Sequence, residues 1–253
     1  KTKEIRLKIK LDILVFLIFI SNIVSSQDNE IGFFFGGTNY IGDVGPTTYV
    51  NPFSVKNSVD NEKSSFTTAV GILYRKNFSN RFGLRLGLNI ADIESSDLWK
   101  GSKNYRNERG KSFKNNLQEF HVGIDFNFLE FETSSNDFEF TPYIHTGLSL
   151  IRYDALHYPL GINEAQSYGR DNDLAFPITV GLKLKPLKYF VLGLEISAKH
   201  SFTDNLDGSY PKFEDSNLYS QKPFGSNLSQ DWYVYSGITL TYLFGSYECD
   251  CTR

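Results

Sequence analysis

The chain has two cysteines and four histidines in 253 residues and a formal net charge of −3. Beyond its first segment it has no apolar run of the roughly 20 residues that a membrane helix needs. Each shortage closes off a class of function. Two thiolates fall short of the tetrahedral set that a structural zinc takes. His121, His145, His157 and His200 fall in no compact metal-ligand spacing, and neither a Gly-x-Ser-x-Gly elbow nor a phosphate-cradling glycine loop occurs. A chain without basic excess has no electrostatic footprint for nucleic acid. No metal, cofactor, nucleic acid, small-molecule substrate or catalytic residue is therefore expected.

What is present begins with a leader. Lys1, Lys3, Arg6, Lys8 and Lys10 precede an apolar stretch from Ile13 to Ile20, followed by Ser21-Asn22-Ile23-Val24-Ser25-Ser26-Gln27. That order is a secretory signal peptide, with cleavage expected near Ser26. The expected organisation is a signal over 1–26, a barrel over 27–245 and a C-terminal tail over 246–253. Without the signal, 21 basic residues face 27 acidic ones. Aromatics make up 15% of the chain, with 15 Tyr and 22 Phe, yet mean hydropathy is only −0.30. Abundant aromatics with alternating rather than continuous hydrophobicity suit a membrane barrel, whose strands show lipid and lumen by turns.

The alternation recurs eight times. It is clearest near the C-terminus, where Ile238, Leu240, Tyr242 and Phe244 interleave with Gly237, Thr239, Thr241 and Leu243. The same period runs through 190–199, 176–185, 138–150, 119–128 and 82–91, with Pro142 and Thr146 diluting one apolar face. Weaker segments at 66–74 and 30–40 complete the set. The connections 77–80, 132–137 and 186–188 are short, whereas 42–64, 94–116, 153–172 and 204–229 far exceed ordinary hairpin loops. Short periplasmic turns alternating with long extracellular loops mark outer-membrane barrels and put both chain ends in the periplasm. The fold expected is all-β, an eight-stranded antiparallel barrel in outer-membrane lipid.

A soluble eight-stranded barrel has the same strand count but the opposite sidedness, with its outer face densely charged. Here the second face is Gly, Thr, Ser and Asn with a few charges. Arg75, Arg85, Lys183 and Lys199 would balance Glu119, Asp125 and Glu195 inside a lumen filled by side chains, so no wide pore is expected. His200-Ser201 beside Glu195 makes no nucleophile pair, because neighbours on a strand point to opposite faces.

The loop from Lys100 to Lys114 also holds Lys103, Arg106, Arg109 and Lys111 against one acid, Glu108. It reads as a solvated loop, with surface polysaccharide or anionic headgroups as the alternative ligand. Tyr49, Phe53, Tyr158, Tyr168, Tyr210 and Tyr219 would pack the other loops together. Cys249 and Cys251 lie in the tail, in an oxidising compartment if the topology is right. A bridge between positions two apart is strained, which leaves an intermolecular disulfide, a strained internal one, or a free or metal-bound tail.

Tyr235, Gly237, Leu240, Tyr242 and Phe244 form a pattern that looks like the C-terminal signal read by outer-membrane assembly machinery. The first strand, Glu30-Ile31-Gly32-Phe33-Phe34-Phe35-Gly36-Gly37-Thr38-Asn39-Tyr40-Ile41-Gly42-Asp43, resembles the opening of the PorG family, outer-membrane barrel components of the type IX secretion system of Bacteroidota. Glu30 and Gly32, Gly36 and Gly37, and Asn39, Tyr40, Gly42 and Asp43 carry the likeness. The glycines suit close packing or a bend, and Gly42-Asp43 a turn into the first loop. The resemblance implies a non-enzymatic subunit that attaches a periplasmic ring, made of a lipoprotein and its partner, to the outer membrane of a machine coupled in gliding bacteria to motility. On that reading, Cys249 or Cys251 is expected to tie the barrel covalently to a ring component. The alternative is a stand-alone surface barrel for adhesion or envelope stability.

Overall fold

The computed structural model describes residues 29–50, 67–212, 222–225 and 230–245. The signal expected over 1–26, the tail with Cys249 and Cys251, and Phe53 and Tyr219 lie outside the described residues. Eight strands, β1 (Asn29–Ile41), β2 (Thr68–Asn77), β3 (Phe82–Ser96), β4 (Ser112–Asn127), β5 (Glu139–His157), β6 (Gln166–Leu187), β7 (Phe190–Ser201) and β8 (Trp232–Phe244), follow one another around a closed barrel. A short helix, α1 (Asn104–Arg109), lies between β3 and β4. Every neighbouring pair is antiparallel, and β1 closes on β8 from Asn29↔Phe244 to Ile41↔Trp232.

Closure leaves no free edge within the belt, so the ladders satisfy the backbone there without water. The side chains then sort by parity. On β1, Ile31, Phe33 and Phe35 face outward, Phe33 with 68% of its surface exposed, while Glu30 and Phe34 are buried inside. On β8, Ile238, Leu240, Tyr242 and Phe244 face outward and Thr239 and Thr241 inward. An apolar exterior around a polar, charged interior inverts the soluble arrangement, and the molecule is a membrane-spanning barrel. Phe78, Phe82, Phe128, Phe138, Tyr189, Phe190, Tyr242 and Phe244 gather at the end that carries the termini, an aromatic girdle of the kind that sits at a membrane interface.

Two connections differ from expectation. The ladders continue where loops 94–116 and 153–172 were expected, because β3 runs to Ser96, β4 starts at Ser112, β5 runs to His157 and β6 starts at Gln166. Beyond the apolar belt both faces of a strand meet water, so hydropathy loses its period of two although pairing goes on. Residues 166–173 of β6 are almost wholly exposed yet stay paired with β5. At the other end the turn 128–138 is longer than the connection 158–165 at the loop end. Length alone therefore does not separate the two ends, whereas extension of the ladders does.

Candidate functional site

Three layers of polar contacts fill the barrel from end to end. In the middle, Asp125 on β4 is the hub. Its carboxylate accepts from Arg75 Nε at 2.6 Å, Arg85 NH2 at 3.1 Å and His145 Nδ1 at 2.9 Å, and Lys183 Nζ lies 3.2 Å away. Arg75 also pairs with Glu30, whose carboxylate accepts from Asn77 Nδ2 at 2.8 Å and Thr241 Oγ1 at 2.7 Å. Arg85 NH1 meets Glu195 at 2.9 Å, and Tyr143 donates to the same carboxylate. Lys199 grips both oxygens of Glu119, at 2.7 and 2.6 Å.

With Glu30 included, four cations meet four carboxylates, all nearly inaccessible to water. Removing one member would leave its partners as buried unpaired charges. Small residues make room for the long ones: a methyl at Gly181 would lie 2.6 Å from the Tyr143 ring. The cavity left among Arg85, His121, His145, Glu195 and Lys199 is about 20 Å³, space for about one water.

The loop end is capped. Arg106 of α1 is buried and donates to the carbonyls of Gly42 and Gly45 at 2.9 and 2.7 Å. Arg109 pairs with Asp97 at 2.8 Å and donates to the Asp43 carbonyl at 2.6 Å. Lys111 lies over the rings of Tyr158 and Phe224, 4.0 and 4.4 Å from their centroids. Burial, with Arg109 nearby, lowers its pKa to about 8. The basic loop is therefore not simply solvated: three of its six cations staple neighbouring loops together, because their partners are backbone carbonyls, a buried carboxylate and aromatic faces distant in sequence. Arg109→Ala leaves Asp97 buried without its cation. It is expected to cost the cap roughly 1–3 kcal/mol, seen as faster proteolytic nicking within 97–111 while the barrel core stays resistant.

At the end that carries the termini, Phe131, Val191 and Leu243 form a small buried cluster. Lys185 Nζ donates to the carbonyls of Glu132 and Ser135 at 2.5 and 2.7 Å, pinning the longest turn there. Asn80 accepts from Phe131 N and Asn127 Nδ2, both at 3.1 Å, and Arg81 donates to the Phe128 carbonyl at 2.8 Å. The turns are thus cross-stitched. A groove of about 320 Å³ opens beside them, lined by Thr133, Ser134, Lys188, Tyr189, Tyr242 and Phe244 among others.

The residues singled out by sequence fall into these layers. Glu30 joins the central network, which its inward parity with Gly32 on β1 signals. Gly32 and Gly36 sit where β1 meets β8, and a methyl at Gly36 would lie 2.5 Å from the Ser236 carbonyl. Gly37 pairs with Thr68 and Ser236, and Asn39 is buried nearby. Tyr40, Gly42 and Asp43 belong to the cap: the Tyr40 phenol lies across Gly42, where any side chain would overlap it, and reaches Asp231.

The C-terminal pattern divides by face. Tyr235 points inward against Phe34 and Lys199, Gly237 faces Gly36, and Leu240, Tyr242 and Phe244 face outward. His200 packs against Trp232 and Phe202, whereas the Ser201 hydroxyl is directed at the carbonyls of Thr203 and Asp231 on the inner side. Among the described residues no group of three or more His, Cys, Asp or Glu is placed to hold a metal.

No curated protein matches the chain significantly in sequence. Among solved structures it is similar to Ail, the attachment invasion locus protein of Yersinia pestis, at 11% identity over 87% of this chain and 99% of that one, with a TM-score of 0.43. It is similar to OprG from Pseudomonas aeruginosa at 9% identity, 87% and 96% coverage and a TM-score of 0.42. It is also similar to the outer membrane enzyme PagL at 12% identity, 84% and 97% coverage and a TM-score of 0.36. Residues 9–253 match the model of the family described as a domain of unknown function, DUF6089, and the chain belongs to that family.

Proposed function

We propose that this protein is a non-enzymatic anchor in the bacterial outer membrane, with both termini periplasmic, which holds a periplasmic ring lipoprotein and its partner against the membrane as the PorG resemblance implies. A signal peptide followed by an even-numbered antiparallel barrel with an apolar exterior supports the outer-membrane setting. The observation that carries the reading is the filled lumen: four cations and four carboxylates occupy the axis, so export through this barrel has no path. A subunit of a secretion machine that is not its conduit serves by attachment. The cross-stitched turns offer a rigid face for that role, since a docking surface ordered beforehand loses little entropy on binding. The tail is the second docking element, with Cys249 or Cys251 bonded to a ring component.

Deleting 246–253 is expected to abolish secretion of the machine's cargo while the barrel still assembles. The native complex on a non-reducing gel is expected to give a shifted band that collapses with reductant. Both thiols freely alkylated in the native complex would sink the covalent tie, and unchanged secretion after tail and turn changes would sink the anchor. The extended β5–β6 ladder beyond the apolar belt favours a second reading, a stand-alone surface barrel for adhesion or envelope stability. Shortening the loop 100–114 would then abolish surface binding and leave secretion intact.

A further inference from the structure

The start of the connection after β7, residues 202–210, does not stand clear of the barrel. Asn205, Leu206, Asp207 and Ser209 are wholly buried. Leu206 accepts from Asn115 Nδ2 at 2.7 Å through its carbonyl and donates to Asp231 Oδ2 at 3.0 Å through its amide, while Thr203 Oγ1 lies 2.9 Å from the Tyr153 hydroxyl. The stretch 203–210 therefore plugs the mouth of the barrel at the loop end.

Two carboxyls of this plugged end, Asp207 and Asp231, converge on one phenol, that of Tyr40. The phenol has a single proton, and Asp231 Oδ1 accepts it. Asp207 Oδ1 accepts from Ser209 N at 2.8 Å, but Asp207 Oδ2, in a side chain with no exposed surface, has no hydrogen-bond partner. An ionised carboxylate oxygen so placed is desolvated without compensation. A proton on it completes the set: Asp207 donates to the Tyr40 oxygen, and Tyr40 donates to Asp231.

The surrounding acids favour the same state. Asp43 faces the pair from the first loop and Asp204 from the plug itself. Tyr158 faces it from the end of β5. Of the cations in the β3–β4 connection, Arg106 is taken up by the carbonyls of Gly42 and Gly45, whereas Arg109, paired with Asp97, and Lys111, over the rings of Tyr158 and Phe224, also feel the charge of Asp207 and oppose its protonation.

We propose that Asp207 is held protonated in the folded cap, and that Asp207, Tyr40 and Asp231 form a proton-operated latch that seats 203–210 in the barrel mouth. Burial raises the Asp207 carboxyl against the hydrogen bonds of Ser209 and Tyr40, which lower it, and the charge of Asp43 adds to the rise; burial, then the charge of Asp207, raises that of Asp231 against its bonds to Tyr40 and the Leu206 amide. Burial, Asp43 and Asp207 push Asp204 beside them up to about 7. The sign follows from linkage. The seated state keeps a proton that the open state releases at neutral pH, so the latch is at full strength below the ordinary carboxyl pKa of the open state, weakens as pH rises from there, and has lost this contribution once pH passes the raised pKa of the seated state. The open fraction grows by up to about tenfold per pH unit for each such proton.

The test uses the full chain in lipid nanodiscs, with carboxyl-labelled aspartate followed by NMR and the Leu206 and Ser209 amides by hydrogen exchange from pH 5 to 9. The Asp207 carboxyl is expected in its neutral form at pH 7, and amide protection, corrected for intrinsic exchange, to fall with the linked slope. In Asp207→Asn the side-chain amide replaces the proton as donor, and Leu206 stays protected with the slope from this proton removed. Asp207 ionised at pH 6 with flat protection would overturn the proposal. So would protection that responds to calcium or chelator at constant pH, which would make the compensating charge a cation. The two wild-type measurements decide the matter even if the variant fails to assemble.

Discussion

Asp125→Ala is expected to be among the most damaging single substitutions in the barrel, lowering unfolding free energy in lipid by about 3–5 kcal/mol, the cost of breaking a buried ionic cluster from one side. The magnitude follows from where Asp125 stands. It is 1% exposed and holds Arg75, Arg85 and Lys183 at once, with His145 bonded to its second oxygen. With alanine there, Glu30 and Glu195 still face Arg75 and Arg85, but Lys183 keeps only the neutral Asn127 oxygen at 3.0 Å among its short contacts. Urea titration in bilayers, read by the different gel mobilities of folded and unfolded barrel, measures the loss. A loss under about 1 kcal/mol would mean that water screens the cluster as it does at a surface. The lumen would then be wet and the argument against a conduit would fail. Tyr143→Phe, which removes one hydroxyl from Glu195 but keeps the ring over which Arg85 and Lys183 lie, should cost far less.

Ile238→Arg is the second large effect, and it tests sidedness rather than packing. Ile238 lies midway along β8, opposite Leu194 on one side and Phe35 on the other, with 45% of its surface exposed. At the mid-depth of a bilayer an outward arginine costs roughly 2–4 kcal/mol. The same change on the outside of a soluble barrel would fall within about 0.5 kcal/mol of neutral. The contrast with Phe138→Arg, at the rim near the chain ends with 67% of its surface exposed, separates depth from charge: the bilayer penalty fades to roughly 0–1 kcal/mol near the interface. Equal, small effects at both positions would remove the membrane from the description of this fold.

The barrel itself was legible because lipid on one side and a polar lumen on the other stamp a period of two onto every crossing segment. The eight strands and their order can be read from that period alone, along with outward sets such as Ile238, Leu240, Tyr242 and Phe244. The reading stopped where the stamp stops. Past the membrane both strand faces meet the same solvent, so 166–173 reads as loop although its backbone is paired with β5. The cap was illegible for a different reason. Arg106, Arg109 and Lys111 look like any charged loop until Gly42, Asp97 and Phe224 are brought to them across the barrel mouth.

Sequence by itself determined the crossing: the strand count, the apolar exterior and the kinds of charge set aside for the interior. All of these follow from local pattern, since parity decides a side chain's solvent without reference to any distant residue. Tertiary structure alone decided which charges meet. Glu30 and Arg75 come together through the β1–β2 register, Asp125 becomes a hub because β2, β3, β5 and β6 curve toward it, and Tyr40 reaches Asp231 only because β1 closes on β8. A filled lumen is a property of closure. Closure joins the two ends of the chain, and nothing in a local alternation records what lies on the far side of the barrel.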